Sequence, residues 1–208
     1  MCGIAGEIAW GRGADLAAVA AMTDRMAPRG PDSSGLWVRD GVALGHRRLA
    51  IIDLSSHGHQ PMHDPELGLT VVFNGCIYNY PQLRQELSSK GYRFFSHSDT
   101  EVVLKGYKEW GENVVDHLFG MFAFAITETD SGRVVLGRDR LGVKPLYWAD
   151  VVEPTGGRAL RFASSLPALL AAGGIDTDLD PVALHHYLSF HSVVPAPHTI
   201  LKGVRKLP

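Results

Sequence analysis

Apolar and polar positions alternate with short, strand-like periods over much of the chain. Runs rich in β-branched and aromatic residues recur at Gly3–Trp10, Leu36–Arg39, Val42–His46, Ala50–Asp53, Leu69–Asn74, Met121–Thr127, Arg133–Arg138 and Ala159–Ala163, and each predicts a strand. Asp40-Gly41 and Ser131-Gly132 separate neighbouring runs by turn residues, which predicts hairpins and antiparallel pairing. Helical periods are fewer. Asp15 is placed to cap a segment in which Leu16, Val19, Met22 or Thr23, and Met26 share a face. Pro81 opens a second helix with Leu83 and Leu87 four apart and Gly91 as its stop. Ser98-Asp99-Thr100-Glu101 has capping-box spacing ahead of Val102, Val103 and Leu104. Ser165–Ala172 predicts a short helix ended by Gly173-Gly174, and Asp180-Pro181 begins a last one through about Leu188. Asp150–Gly157 reads as a surface loop, and the proline-punctuated His191–Pro208 as a connecting segment. Strands and helices do not alternate strictly, so a layered α+β fold is expected rather than a doubly wound parallel sheet.

Composition narrows the function. The chain has 208 residues, 45% of them hydrophobic, and a formal charge of -2, which offers no basic field for nucleic acid. Two cysteines make no disulfide framework, so a reducing, cytoplasmic setting is expected. No basic-then-apolar leader opens the chain, and no apolar run approaches the roughly 20 residues of a membrane span. Neither His57, His59 and His63 nor His185 and His186 come with the partner spacing of a known metal site, and no metal is expected. The chain has neither the P-loop nor the dinucleotide glycine spacing, so ATP binding by these residues alone is not expected.

One cysteine is the second residue, in MCGIAG. A free thiol has a pKa of about 8.5 and needs a base to attack a carboxamide. With Met1 removed, Cys2 would carry an α-amine of pKa about 7.7–8.0, so nucleophile and base would share one residue. The bland alternative is an ordinary buried thiol in a first strand. In Phe73-Asn74-Gly75-Cys76, Asn74 offers an amide donor and Gly75 a backbone N–H for an oxyanion; the alternative is an Asn-Gly hairpin turn. Gly45-His46-Arg47-Arg48-Leu49 sets two guanidinium groups beside a strand, either a surface pair or a receiver for a carboxylate. Asp99 offers a carboxylate for an ammonium, beside its place in the helix start. Arg29-Gly30-Pro31-Asp32 reads as a tight turn, and the charge-dense Arg138–Tyr147 as an internal ion-pair network.

Taken in order, MCGIAG, RGPD, GHRRLAIID, QPM, FNGCIYNY, SDTEVVL, GMFAFAI, RDRLGVKPLY and FASSLPALL resemble the class II glutamine amidotransferase domain of the N-terminal-nucleophile hydrolases, in the asparagine synthetase branch. The resemblance covers nearly all of the chain and implies a four-layer αββα sandwich of two antiparallel sheets. It implies Cys2 as nucleophile with its freed amine as base, Asn74 and Gly75 as the oxyanion hole, Arg48 on the glutamine α-carboxylate and Asp99 on the α-ammonium. Backbone groups around Ile51 and Ile52 would line the pocket. One position departs: the family's glutamate after the Asn-Gly pair is Cys76 here, whose thiol cannot replace a carboxylate's charge-assisted bonds. FNGCIYNY together with DPVALHHYLSFHSVVPAP is most similar to the N-acetylglutaminylglutamine amidotransferases.

The resemblance divides the chain into a glutamine amidotransferase domain at 1–175 and, at 176–208, a linker or the start of a C-terminal synthetase domain. That second domain would bind ATP and Mg²⁺, and its SGG-type loop does not occur in these residues. The implied partners are L-glutamine and the synthetase domain, with a homodimer allowed. The implied activity is release of ammonia from glutamine for amidation of a carboxylate. Two other readings stay open here, a catalytically silent glutamine-binding domain and a structural N-terminal domain of an ammonia-using synthetase.

Overall fold

The computed structural model describes residues 1–152 and 156–208. In chain order the elements are β1 (Gly3–Trp10), α1 (Leu16–Arg25), β2 (Ser33–Arg39), β3 (Val42–Arg48), β4 (Met62–Asp64), β5 (Leu69–Ile77), α2 (Tyr80–Ser89), α3 (Asp99–Trp110), α4 (Val114–His117), β6 (Gly120–Glu128), β7 (Val134–Arg138), β8 (Tyr147–Val152), β9 (Arg158–Ala163), α5 (Leu166–Ala171), α6 (Pro181–Ser189) and β10 (Arg205–Lys206). Among the described residues ten strands form two sheets, ordered β10-β8-β9-β1-β3-β2 and β4-β5-β6-β7, and every pairing is antiparallel.

Three buried clusters mark the layers. Val19, Met22, Ala168 and Leu169 from α1 and α5 pack on Ala5, Ala43 and Ala163 of the six-stranded sheet. Ile4, Leu44, Phe162, Val72, Ala123 and Ala125 fill the space between the sheets. Leu83, Leu87, Val103 and Leu104 from α2 and α3 cover Phe73, Ile77, Phe122 and Phe124 of the four-stranded sheet. The result is the expected αββα sandwich. The helix starts carry the expected caps: Asp15 accepts from Ala18 N at 3.0 Å, Ser98 from Thr100 N at 3.1 Å and Asp180 from Val182 N at 2.9 Å. Glu101 departs from a capping box. It accepts from the N–H groups of Phe95 and Ser96, at 2.9 and 2.7 Å, and so ties down the loop before the helix.

Three expectations need correction, and one alternative reading is excluded. Ala50–Asp53 is a loop rather than a strand, because β3 stops at Arg48 and the following chain wraps around the Arg48 guanidinium. The expected loop at Asp150–Gly157 is strand β8 as far as Val152, where alternate Ala149 and Val151 are buried; residues 153–155 lie outside the described residues. Asn74-Gly75 is not a hairpin turn, since β5 runs through it to Ile77 in register with β6. Arg138–Tyr147 is organised by main-chain bonds rather than by an ion-pair network. Arg138 donates to the carbonyls of Gly142, Lys144 and Leu207, and Asp139 accepts from Phe122, Val143 and Lys144 N–H. At the other end of the chain, Val204 is fully buried and Arg205–Lys206 pairs with Tyr147–Trp148.

Candidate active site

Strand parity decides which side chains meet. On β3, Ala43 and Gly45 face α1, where a Cβ on Gly45 would lie 2.0 Å from Thr23 Oγ1; Arg47 follows them and bonds Thr23 O and Asp24. The other face carries Val42 and Leu44 into the layer between the sheets, then His46 and Arg48. On β1 the inter-sheet residue is Ile4, and Cys2 continues its parity. On β5 Val72 faces the same layer, so Asn74 and Cys76 follow, while Phe73 and Ile77 turn toward α3. Cys2, Arg48, Asn74 and Cys76 thus converge at one end of the inter-sheet space. They line a cleft of about 290 Å³ together with Ile51, Ile52, Gly75 and Asp99. Every residue that the resemblance assigned to the site is on its wall.

The Cys2 thiol lies against the Leu49 peptide, accepting from Leu49 N at 3.4 Å and donating to Leu49 O at 3.6 Å. Burial pushes its pKa up, opposed by the Leu49 N–H, the chain's terminal ammonium and Arg48, and reinforced by Asp99. The thiol is therefore protonated at neutral pH and needs a base. Met1 lines the same cleft. Arg29, which the sequence placed in a tight turn, donates Nε to the Cys2 carbonyl at 3.2 Å.

The edge of β5 supplies donors. In an antiparallel strand alternate residues direct both main-chain groups to the same side. Phe73 N donates to Gln60 Oε1 at 2.6 Å, and Ile77 N to Asp99 Oδ2 at 3.0 Å, both on the side away from β6. Gly75 falls between them on that edge. A Cβ there would lie 2.5 Å from Met121 O and 2.7 Å from Phe73 Cζ, so only glycine fits. Asn74 is 1% exposed, and its Nδ2 has no hydrogen-bond partner among the described residues. A buried amide donor left unpaired costs about 1–3 kcal/mol, so an uncommitted one on a cleft wall marks where a ligand oxygen belongs.

Charged groups flank these donors. Arg48 is buried and donates to Ser55 O at 2.9 Å and to Asp53 O. These bonds use two of its five N–H groups and hold the 49–58 loop, which presents Ile51 to the cleft. Asp53 anchors the same loop. Its burial would raise its pKa, but hydrogen bonds from the Ser55 hydroxyl, His97 N and Ser55 N, with Arg48 nearby, bring it down to about 2. Asp99 stands in the first turn of α3, and burial raises its pKa despite bonds from Ile77 and Thr100 N–H. A raised carboxylate pKa is the mark of a buried anion short of a cation.

Sequence reasoning missed Lys144, Gln60 and His46. Lys144 is 5% exposed, lines the cleft, and forms no ion pair among the described residues. Burial and Asp99 raise the Cys76 thiol pKa, and Lys144 opposes them. The carboxylate that the resemblance expected at position 76 is absent, and the Cys76 thiol stands there within reach of this ammonium's charge. The sequence signals for Lys144 are that missing carboxylate and its place in RDRLGVKPLY.

The family model described as "Glutamine amidotransferase domain" matches residues 1–208. The chain belongs to the glutamine amidotransferase family. It is 36% identical over 211 residues to asparagine synthetase [glutamine-hydrolyzing] 3 of Bacillus subtilis, covering 100% of this chain and 33% of that protein. It is 39% identical over 186 residues to asparagine synthetase [glutamine-hydrolyzing] 1 of the same organism, covering 89% and 28%. These relatives place it in the asparagine synthetase branch of the class II amidotransferases, and the chain spans about a third of their length. Among solved structures it superposes on the glutamine phosphoribosylpyrophosphate amidotransferase of B. subtilis with a TM-score of 0.68 at 23% identity, over 86% of this chain and 46% of that one, which shows a common fold. Among the described residues no helix is long and apolar enough to cross a membrane.

Proposed function

We propose that this amidotransferase domain hydrolyses the side-chain amide of L-glutamine through a thioester on Cys2. The observation that carries the reading is the meeting, in one cleft, of the Cys2 thiol with the unpaired Asn74 Nδ2 and the edge N–H of Gly75. Removal of Met1 frees the Cys2 α-amine, which takes the thiol proton. The thiolate attacks the amide carbon, and the oxyanion forms on Asn74 Nδ2 and Gly75 N–H. The amine returns its proton to the departing nitrogen, the C–N bond breaks and ammonia leaves. Water then attacks the thioester, giving glutamate and the restored thiol. Arg48, with donors to spare, receives the α-carboxylate. Asp99 receives the α-ammonium, which relieves its buried charge.

On this reading residues 1–175 are the glutaminase domain, and 176–208 lead to a synthetase domain that uses the ammonia. ATP and Mg²⁺ would be held there, outside these residues, to activate a carboxylate acceptor, with N-acetylglutaminylglutamine as the candidate of choice. A free catalytic thiol fits a reducing cytoplasm.

The test joins three measurements on one preparation: intact mass of the N-terminus, glutamate release from glutamine, and labelling by a diazoketone analogue of glutamine. Loss of Met1, turnover, and a label on Cys2 that disappears in Cys2→Ala are expected. Loss of Met1 with glutamine bound but no turnover would show a silent binding domain instead, a reading that the unneutralised Lys144 beside Cys76 favours.

A further inference from the structure

We propose that His46 is a positioning residue which, together with Gln60, clamps the Phe73 peptide and so aims the Asn74 amide and the Gly75 N–H at the reacting oxygen. The inference rests on the glutaminase reading and deepens it.

The edge of β5 that faces the cleft has lost its neighbouring strand. β4 pairs only with Leu69 to Val71, so from Phe73 onward the main-chain groups on that side must be held by something else. Two side chains do this at Phe73. Gln60 Oε1 accepts its N–H at 2.6 Å, and His46 Nε2 lies 3.1 Å from its carbonyl oxygen. The clamp is anchored at both ends. Gln60 Nε2 donates onward to Thr100 Oγ1 at 3.1 Å in α3, and His46 stands in the middle of β3 on the opposite sheet, fully buried. The His46–Phe73 bond therefore spans the inter-sheet layer one residue before Asn74.

The tautomer follows from chemistry. A carbonyl only accepts, so Nε2 carries the hydrogen. Burial, aided by the nearby Arg48 and His59, lowers the His46 pKa to about 3 against the favourable Phe73 carbonyl, so the ring is neutral throughout the working pH range. Nδ1 is then a bare lone pair, and it has no partner among the described residues. The ring therefore has one polar bond, and it is spent on the peptide that leads into Asn74.

Asn74 depends on this support because its own Nδ2 has no partner among the described residues. No side-chain bond from that nitrogen fixes its aim, which is left to packing and to the main chain on either side. Displacing a catalytic donor by about 1 Å costs on the order of 100-fold in rate. A clamp that prevents such drift acts on the transition state and leaves substrate binding through Arg48 and Asp99 untouched.

The experiment compares wild type, His46→Leu, His46→Gln and Gln60→Leu for kcat, KM, thermal midpoint, and affinity for an aldehyde analogue of glutamine, which forms a tetrahedral adduct with the thiol. His46→Leu is expected to lower kcat roughly 10–100-fold with KM within about threefold, and to weaken the aldehyde by the same factor as kcat. Product glutamate should bind as before. His46→Gln keeps an N–H near the Nε2 position and should recover most of the lost rate. Wild-type kcat in folded His46→Leu, or equal losses in the Leu and Gln variants, would overturn the clamp. Should His46→Leu fail to fold, Gln60→Leu decides: a kcat loss matched by the aldehyde supports the clamp, and wild-type kcat refutes it. Absence of turnover in Met1-free wild type would sink the glutaminase reading itself, and the clamp with it, which is a different result from a variant that turns over normally.

Discussion

Removing the Asn74 amide should separate catalysis from stability to an unusual degree. The side chain is 1% exposed and its Nδ2 is unpaired, so the folded protein already bears the desolvation cost of that donor, about 1–3 kcal/mol. Asn74→Ala removes that cost and leaves a small void of comparable but opposite effect. The net change in stability is expected within about 1 kcal/mol, or roughly 2–4 °C in thermal midpoint for a chain of this size. The transition state fares differently. An oxyanion donor is worth about 10²–10³ in kcat, near 2.7–4 kcal/mol. Because the ground-state amide engages it weakly, KM should stay within a few-fold. The assay is glutamate release on Met1-free protein, with calorimetry on the same sample. A thermal midpoint lowered by more than about 8 °C, with kcat of the folded protein near wild type, would make Asn74 a structural residue and not an oxyanion donor.

Three further outcomes follow from the same cleft. Asp99→Asn removes the buried negative charge that the substrate ammonium would neutralise, so KM for glutamine should rise about 10–100-fold with kcat little changed; unchanged KM in steady-state kinetics would move the ammonium elsewhere. Cys76→Glu places a carboxylate near the unpaired Lys144 ammonium and near the substrate amine, and KM should fall about 2–10-fold; a higher KM would mean that repulsion by Asp99 dominates. Asp53 has a folded pKa of about 2, below the value of about 3.9 for an unfolded aspartate, so its contribution is full above the unfolded value and is lost as pH falls toward 2. Up to about 2 kcal/mol should disappear from denaturant midpoints between roughly pH 4 and pH 2, and Asp53→Asn should flatten that slope. An Asp53→Asn slope identical to wild type would assign the loss to other carboxylates.

Much of this was legible in the sequence because it is local. Asp15, Ser98 and Asp180 cap where a short polar side chain precedes an apolar run, and Asp40-Gly41 and Gly132 turn the chain where hairpins were expected. Parity also reaches far: once Leu44 is known to face the second sheet, Arg48 rather than Arg47 must face the cleft. What stayed hidden depends on partners distant in sequence. Ile51 and Ile52 look like strand because β-branched residues mark buried pleats, yet Ile51 is 72% exposed. Its loop is shaped by a guanidinium folded back on Asp53 and Ser55, which no local pattern encodes. The His46 and Gln60 bonds to Phe73 join positions 27 and 13 residues away, and neither spacing has a helical or strand meaning.

The half-open edge of β5 gives the site its place. A strand paired on both sides has no main-chain donor to offer a substrate, and a bare edge invites unwanted pairing with other strands. β5 is paired with β6 along its full length, but its other side is covered by β4 over only three residues. Beyond that point isolated side chains cover alternate peptides, Gln60 and His46 at Phe73 and Asp99 at Ile77. Between them lies the Gly75 N–H, on the same edge and facing the cleft. Glycine at that place is forced by Met121 O and the Phe73 ring on either side, so packing and chemistry make the same demand on one residue. A substitution such as Gly75→Ala must therefore damage both at once, whereas Asn74→Ala can divide them.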